Sequence, residues 1–302
     1  MNKSLKFSQK HPFLFGLGLI FLAMVLITGA MAFFNSSFWQ EKFPWFQTPK
    51  IGVVYIQGVI ENSLPITRWI NKLTKDKSIK GILVRIDSPG GLVGPSQEIY
   101  ASLCEAAKHK PVVASMGAMA TSGGYYVALG ANKIIANPGT LTASIGVKAS
   151  LANFKGLLDK IGIEEQTIAS GKLKNAGTPF RPLTPEEKKY FKEIIQNLYS
   201  QFVRTVCKQR HLPLKKVQPI ADGRAITGEQ ALKLGLIDEL GNFEHALLVL
   251  QHMLNLKKTP RLVEGPPKEN SLLNKILGLT NLNNLSKLTK SQFGPTWIFS
   301  YE

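Results

Sequence analysis

Ser122 stands between a short apolar run, Val112-Val113-Ala114-Ser115-Met116 with its small-residue extension, and the pair Gly123-Gly124. Beyond the glycines, Tyr125-Tyr126-Val127-Ala128-Leu129 turns apolar again with helical character. The pattern reads as a strand, a tight turn and a helix start, with one hydroxyl at the turn. A nucleophilic serine needs that placement: its side chain projects from the turn, and flanking glycines let a carbonyl substrate approach backbone N–H groups at a helix N-terminus. The same turn also suits the cap of an ordinary buried helix, so the chemistry has to be sought in the rest of the chain.

An acyl-transfer site needs a base and oxyanion donors besides the nucleophile. His11 falls in the N-terminal apolar region, while His109, His211, His245 and His252 fall on helices or at their ends, none in a glycine-rich turn. A lysine is the known substitute for histidine. The stretch from Thr167 to Thr184 holds Lys172 and Lys174 and no Asp or Glu. An ammonium without a carboxylate partner is easier to drive to the neutral amine on burial. In an extended segment both lysines share a face, so spacing leaves either as the base, and a solvated loop would leave neither. Pro89-Gly90-Gly91 ends a strand and can present a backbone N–H, and the N–H of Gly123 follows the serine directly, so the two could form an oxyanion hole.

The elements that must position these groups alternate. Strands are expected at 51–56, 81–87, 112–116, 133–136 and 141–147, with helices at 66–73, 96–108 and from Gly123 onward. That order predicts an α/β fold with a parallel, buried sheet. A long helix follows Thr184-Pro185-Glu186-Glu187, a capping box with proline at the first helical position. Shorter helices are expected after Thr227-Gly-Glu-Gln230 and over 243–254. From Lys257 the composition shifts to Lys, Asn, Pro, Ser and Leu, which reads as a tail, although Leu272 to Leu279 and the closing Trp297-Ile-Phe-Ser-Tyr are apolar enough to dock.

The chain has 302 residues and a formal net charge of +17. Such a charge suits an anionic surface, but no zinc-finger spacing, RNP signature or helix-turn-helix is present, so phospholipid is favoured over nucleic acid. Cys104 and Cys207 are read as packing residues; two cysteines make no metal site. Lys3, Lys6, Lys10 and His11 precede an uncharged apolar run from Pro12 to Phe34, long enough to span a bilayer and longer than the core of a cleaved signal peptide. A retained anchor with its positive end in the cytoplasm is expected, with Phe38, Trp39, Phe43, Trp45 and Phe46 at the interface. The organisation read from sequence is therefore 1–11 cytoplasmic, 12–34 transmembrane, 35–49 juxtamembrane linker, 50–256 catalytic domain and 257–302 tail.

Five segments occur in order: Asp-Ser-Pro-Gly-Gly at 87–91, MGAMATSGGYYVA at 116–128, Thr-Ala-Ser-Ile-Gly-Val at 142–147, Ser-Gly-Lys-Leu-Lys at 170–174 and Gly-Arg-Ala-Ile-Thr-Gly at 223–228. Together they resemble the bacterial signal peptide peptidase SppA family (peptidase family S49) in its short, single-repeat form, over roughly residues 50–255 plus the anchor. The resemblance implies a Clp protease/crotonase-like layered α/β fold and a Ser-Lys dyad. By position it assigns Ser122 as nucleophile and Lys174, rather than Lys172, as general base. It assigns Ser144 to orient the lysine, and Gly91 and Gly123 as oxyanion donors. One departure is Asn175, where family members often carry Asp.

The resemblance further implies a membrane-anchored serine endopeptidase of the inner membrane. Its catalytic domain would lie on the extracytoplasmic side, and its substrates would be released signal peptides and other apolar peptides. It needs no cofactor or metal, and it is expected to form a ring-like homo-oligomer. Two other readings share the fold. A crotonase-type acyl-CoA enzyme would need a carboxylate acid/base and a CoA pocket. A non-catalytic membrane scaffold would have no use for an intact Ser122, Ser144 and Lys174 set.

Overall fold

A computed structural model describes residues 11–34, 48–266 and 296–300. The residues before His11, the aromatic cluster from Phe38 to Phe46 and the Leu272–Leu279 segment lie outside them. Two compact units are present, Met1–Thr48 and Pro49–Glu302. In the first, α1 (Pro12–Phe34) is a helix of 23 residues without a charged side chain. At 1.5 Å per residue it is about 35 Å long, against a hydrocarbon core of about 30 Å. Its Pro12–Met31 portion is long and apolar enough to cross a membrane.

The second unit is built on a sheet whose main path runs β10-β1-β2-β4-β5-β9. These strands are β1 (Lys50–Gln57), β2 (Ile79–Ser88), β4 (Val112–Thr121), β5 (Lys133–Ala136), β9 (Glu239–Leu240) and β10 (Arg261–Gly265). All are parallel, with Val54 opposite Val84 and Ala114 opposite Ile134. Parallel neighbours need crossovers, supplied by α2 (Leu64–Lys75), then by α3 (Val93–Ala107) after the short β3 (Gly90–Leu92), and by α4 (Gly123–Ala128). β6 (Leu141–Ala143) pairs with the far half of β4 and, antiparallel, with β8 (Ala225–Thr227). Beyond β6, β7 (Lys148–Ser150) leads to α5 (Lys155–Ile161). The chain then runs through α6 (Pro185–Arg210), α7 (Leu214–Val217), a 3₁₀ turn at Gln218–Ile220, α8 (Gly228–Lys233) and α9 (Phe243–Met253). Finally β11 (Thr296–Ser300) joins β3 and β7 in a separate three-stranded sheet.

Two sequence expectations shift here. Arg261–Gly265 was expected in the tail, yet it forms the edge strand beside β1, so the folded sheet continues past 256. Its Leu262-Val263 pair is a short β-prone island in a polar stretch, too brief to read as a period. The strand expected over 141–147 stops at Ala143, because Ala143 and Ser144 both adopt positive φ (61° and 51°).

Alternation along the strands separates two cores. Val54, Ile82, Val84, Ile86, Ala114 and Met116 pack with α2, α3, α4 and the C-terminal half of α6. Ile51, Leu83, Val113 and Ile135 face the other way, onto Ala246, Leu247 and Leu250 of α9. Each fully buried aliphatic side chain contributes about 1.5–3 kcal/mol, so these strands form a rigid floor under the turn at Ser122. The α6 stripe is buried at Phe202, Val203 and Val206, whereas Tyr190 in its first turns is exposed.

The start of α6 is fixed electrostatically. Thr184 and Glu187 form the expected capping box, with Glu187 N–H donating to Thr184 Oγ1 (3.2 Å) and Thr184 N–H to Glu187 Oε2 (2.8 Å). Arg181 then donates two hydrogen bonds to the same carboxylate, at 2.6 and 2.8 Å. Those bonds, the Arg181 ones foremost, pull the buried Glu187 carboxyl down to about 2. A carboxylate with an ordinary value near 4.3 and a depressed folded value stabilises the fold fully above about pH 5, and this contribution fades as pH falls toward 2. Glu187→Gln is expected to lower stability at pH 7 by on the order of 2 kcal/mol. Denaturant unfolding of both chains should show the gap closing between pH 5 and pH 2.

Candidate active site

Ser122 sits between β4 and α4 with φ +53° and ψ −114°, a conformation few non-glycine residues adopt. Such strain costs of order 1–3 kcal/mol and persists only where the surroundings impose it. Here the Ser122 N–H donates to Ala143 O at 2.7 Å, and the Ser122 carbonyl accepts from Tyr126 N–H at 2.8 Å, opening the helix. The helix itself cannot shift. Tyr125 is fully buried with its hydroxyl on Leu236 O (2.9 Å), and Tyr126 lies edge-on to Tyr100 and Phe202. The Ser122 side chain is buried, and its Oγ makes no hydrogen bond among the described residues.

The strand carrying Gly91 is pressed against this turn. A Cβ on Gly123 would stand 3.2 Å from Gly91 N and 2.6 Å from Ser96 Oγ, so the Gly91 and Gly123 backbones meet beside Ser122. Gly91 in turn lies under Ile60, whose backbone oxygen a Cβ would approach to 2.3 Å. Ile60 N–H donates to Gly90 O, and Leu92 N–H donates to Ile60 O, both at 2.8 Å. Ser88 Oγ closes the loop, donating to Gly58 O (2.7 Å) and accepting from Gly90 N–H (3.1 Å). The oxyanion pair expected from sequence is thus brought together by contacts that only glycine permits.

Asp87 does work that the sequence reading did not assign to it. Between Ile86↔Met116 and Ser88↔Ala120 the register slips, so β4 carries two extra residues opposite β2. Asp87 Oδ1 accepts Met119 N–H at 3.2 Å within this bulge, and Gly117 leaves room for the carboxyl. Thr140 Oγ1 donates to Gly117 O, and Arg85 donates to Met116 O and Ser115 Oγ. The bulge redirects β4 away from β5 and toward β6, which sets where Ser122 points. An Asp immediately before Ser-Pro-Gly-Gly at a strand end was the available signal.

Ser144 follows the β6 residue that pairs with Thr121, so it stands level with Ser122, one residue past the last pair of the two parallel strands. Its buried Oγ donates to Gly223 O (3.1 Å), leaving lone pairs free to accept from an amine. Lys174 is exposed, in a turn closed by its own N–H on Gly171 O (3.0 Å), and no hydrogen bond joins it to Ser122 within this chain. Lys172 lines a cleft of about 810 Å³ together with Asp159, Glu164 and Glu165. Lys155 and Arg181 line the same cleft, and Lys172 is as exposed as Lys174. Among the described residues no histidine bonds Ser122: His109 pairs with Glu105 and His245 with Glu239.

Two outcomes follow from this geometry. Ser122→Ala removes a buried hydroxyl without a partner, so it should unfold at the native temperature or a few degrees above it. Calorimetry showing a marked drop would mean the hydroxyl has a structural role. Asp87→Ala should lower kcat by about 10- to 100-fold, with a smaller change in KM, because it misdirects the serine rather than the substrate. Asp87→Asn, which keeps an acceptor oxygen, should recover most of the loss.

Residues 105–257 match the model of peptidase family S49, half of the chain. A Methanocaldococcus jannaschii protein provisionally named as a protease is 36% identical over 277 residues, covering 87% of this chain and 88% of its own length. A Synechocystis protein, also provisionally named as a protease, is 46% identical over 175 residues, covering 58% of this chain and 63% of its own. An Enterococcus faecium protein provisionally named signal peptide peptidase SppA is 38% identical over 179 residues, 59% of this chain and 52% of its own. This chain therefore spans only about half to two thirds of the latter two. With the S49 model matching through the serine turn and the lysine loop, and a relative aligned almost end to end, the chain belongs to peptidase family S49, the SppA family of serine-type peptidases.

Proposed function

We propose that the chain is a membrane-anchored endopeptidase using a Ser122–Lys174 dyad on apolar peptides, released signal peptides among them. The observation that carries this is the strained, buried and unpartnered Ser122 hydroxyl beside the Gly91 and Gly123 backbones. Lys174 as a neutral amine takes the Ser122 proton, and the serine oxygen attacks the scissile carbonyl. The Gly91 and Gly123 N–H groups receive the oxyanion, the protonated Lys174 returns its proton to the leaving amine, and water hydrolyses the acyl-enzyme. Ser144 accepts from the lysine and holds it in line. The uncharged α1 supports anchorage in the inner membrane with the catalytic unit on the extracytoplasmic side, near peptides left in the bilayer.

A lysine free in water has a pKa near 10.4, so a base at neutral pH must lose its solvent. Lys174 is exposed in the single chain. The stretch 155–180 that carries it leaves Leu157, Ile161, Ile163, Ile168 and Phe180 exposed, and α5 buries no side chain. A second copy packed on this loop would cover those residues and desolvate the lysine, which supports a homo-oligomeric enzyme.

Lys174→Met should abolish turnover of an apolar peptide, while Lys172→Met keeps most of it. Mixing Ser122→Ala and Lys174→Met chains separates the two arrangements of the dyad: recovered activity means a site shared between copies, and none means a site within one chain. Retention of activity by Lys174→Met, or of fluorophosphonate labelling by Ser122→Ala, would overturn the dyad.

A further inference from the structure

The Gly-Arg-Ala-Ile-Thr-Gly segment at 223–228 does more than open α8. Ser144 N–H donates to Arg224 O at 3.0 Å, Ser144 Oγ donates to Gly223 O at 3.1 Å, and Gly223 N–H returns to Ile145 O at 3.2 Å. These bonds lace the turn after β6 to the two residues before β8. Gly223 takes φ +91°, and a Cβ on Gly146 would stand 3.2 Å from its Cα, so the two backbones touch. What aims the Gly223 carbonyl is the residue before it. Asp222 Oδ1 accepts Arg224 N–H at 3.1 Å, folding the chain around Gly223 in an Asx-turn. The Arg224 guanidinium clasps the same carboxylate through Nε, at 2.8 and 2.9 Å, and through Nη2. The Arg224 side chain foremost, and then its N–H, hold the Asp222 carboxyl down to about 2. Asp222 is therefore an anion at every pH where a lysine could be a base. With the Asp222 and Arg224 side chains 47% and 60% exposed, the pair adds little to stability. Its effect is on direction.

Resting on the reading of Ser122 and Lys174 as the dyad, we propose that Asp222 is a positioning residue: it keeps the Gly223 carbonyl on Ser144, and so keeps the Ser144 hydrogen away from the lysine. A hydroxyl has one hydrogen and two lone pairs. A carbonyl only accepts, so the Ser144 hydrogen is committed to Gly223 O and the Ser144 oxygen can only receive an N–H from the amine. A neutral lysine has a single lone pair, and general-base catalysis requires the Ser122 O–H to point at it. Were Gly223 O to swing away, the Ser144 O–H would donate to that lone pair and compete with Ser122 for it. Asp222 touches neither the substrate nor the reacting atoms. It sets the 222–224 turn, the turn sets the Ser144 hydroxyl, and the hydroxyl leaves the lysine lone pair to Ser122.

The test uses the full chain. Asp222→Ala removes the acceptor that holds the turn, and kcat on an apolar reporter peptide should fall by about 5- to 10-fold, the effect of one misdirected hydrogen bond, with KM little changed. Asp222→Asn keeps an acceptor oxygen for the Arg224 N–H and should recover most of the loss. Ser144→Ala has no hydroxyl to aim, so adding Asp222→Ala to it should lower kcat no further. The same loss in that background, no loss in the native background, or no recovery with Asp222→Asn would overturn the inference. Hydrogen exchange reports on the turn without turnover. The amides of Ser144 and Arg224 should exchange faster in Asp222→Ala and at the native rate in Asp222→Asn. Unchanged exchange in Asp222→Ala overturns the inference by itself. A failure of the dyad reading shows differently, as no turnover and no fluorophosphonate labelling of the unsubstituted chain.

Discussion

Everything in the catalytic unit depends on one backbone constraint, a serine held at positive φ where a parallel strand turns into a buried helix. The conformation is unfavourable for an isolated residue. It is imposed from three sides: by the Ala143 carbonyl on the Ser122 amide, by the α4 hydrogen bond to the Ser122 carbonyl, and by tyrosines that fix the helix. Ala143 and Ser144 share the strain, with positive φ of their own. The sheet supplies the means to hold it. Its floor is apolar on both faces and cannot yield without losing buried area on the order of several side chains.

Charge placement completes the picture. The lysine-bearing loop is held at its end by Arg181 on Glu187, which ties it to the first turn of α6. Its middle is left open, with Lys172 and Lys174 both exposed.

Much of this was legible in the residues. The strand–turn–helix at Ser122, the capping box at Thr184 and the helix opened at Thr227 follow from local chemistry, and the structure has a capping box at both threonines. What escaped was non-local. Arg261–Gly265 is a strand because β1 offers it an edge, and nothing within those five residues says so. The role of Asp87 depends on a register slip 32 residues away. The tail looked apolar enough to dock, but where it docks is a property of two strands distant in sequence.

The split in β4 has a consequence for when the protein becomes active. Its first half, Val113 to Met116, pairs with β5, whose residues follow closely in the chain. Its second half pairs with β6, and β6 is braced by β8; the Ser144 hydroxyl rests on a carbonyl 79 residues further on. Closing so long a loop comes late, because its entropy must be lost before the contact is made. On a ribosome the floor of the sheet can form while residues 223–227 are still unmade, and the serine then lacks its brace. A nascent chain of this design lacks the support of Ser144 until residues 223–227 have been made.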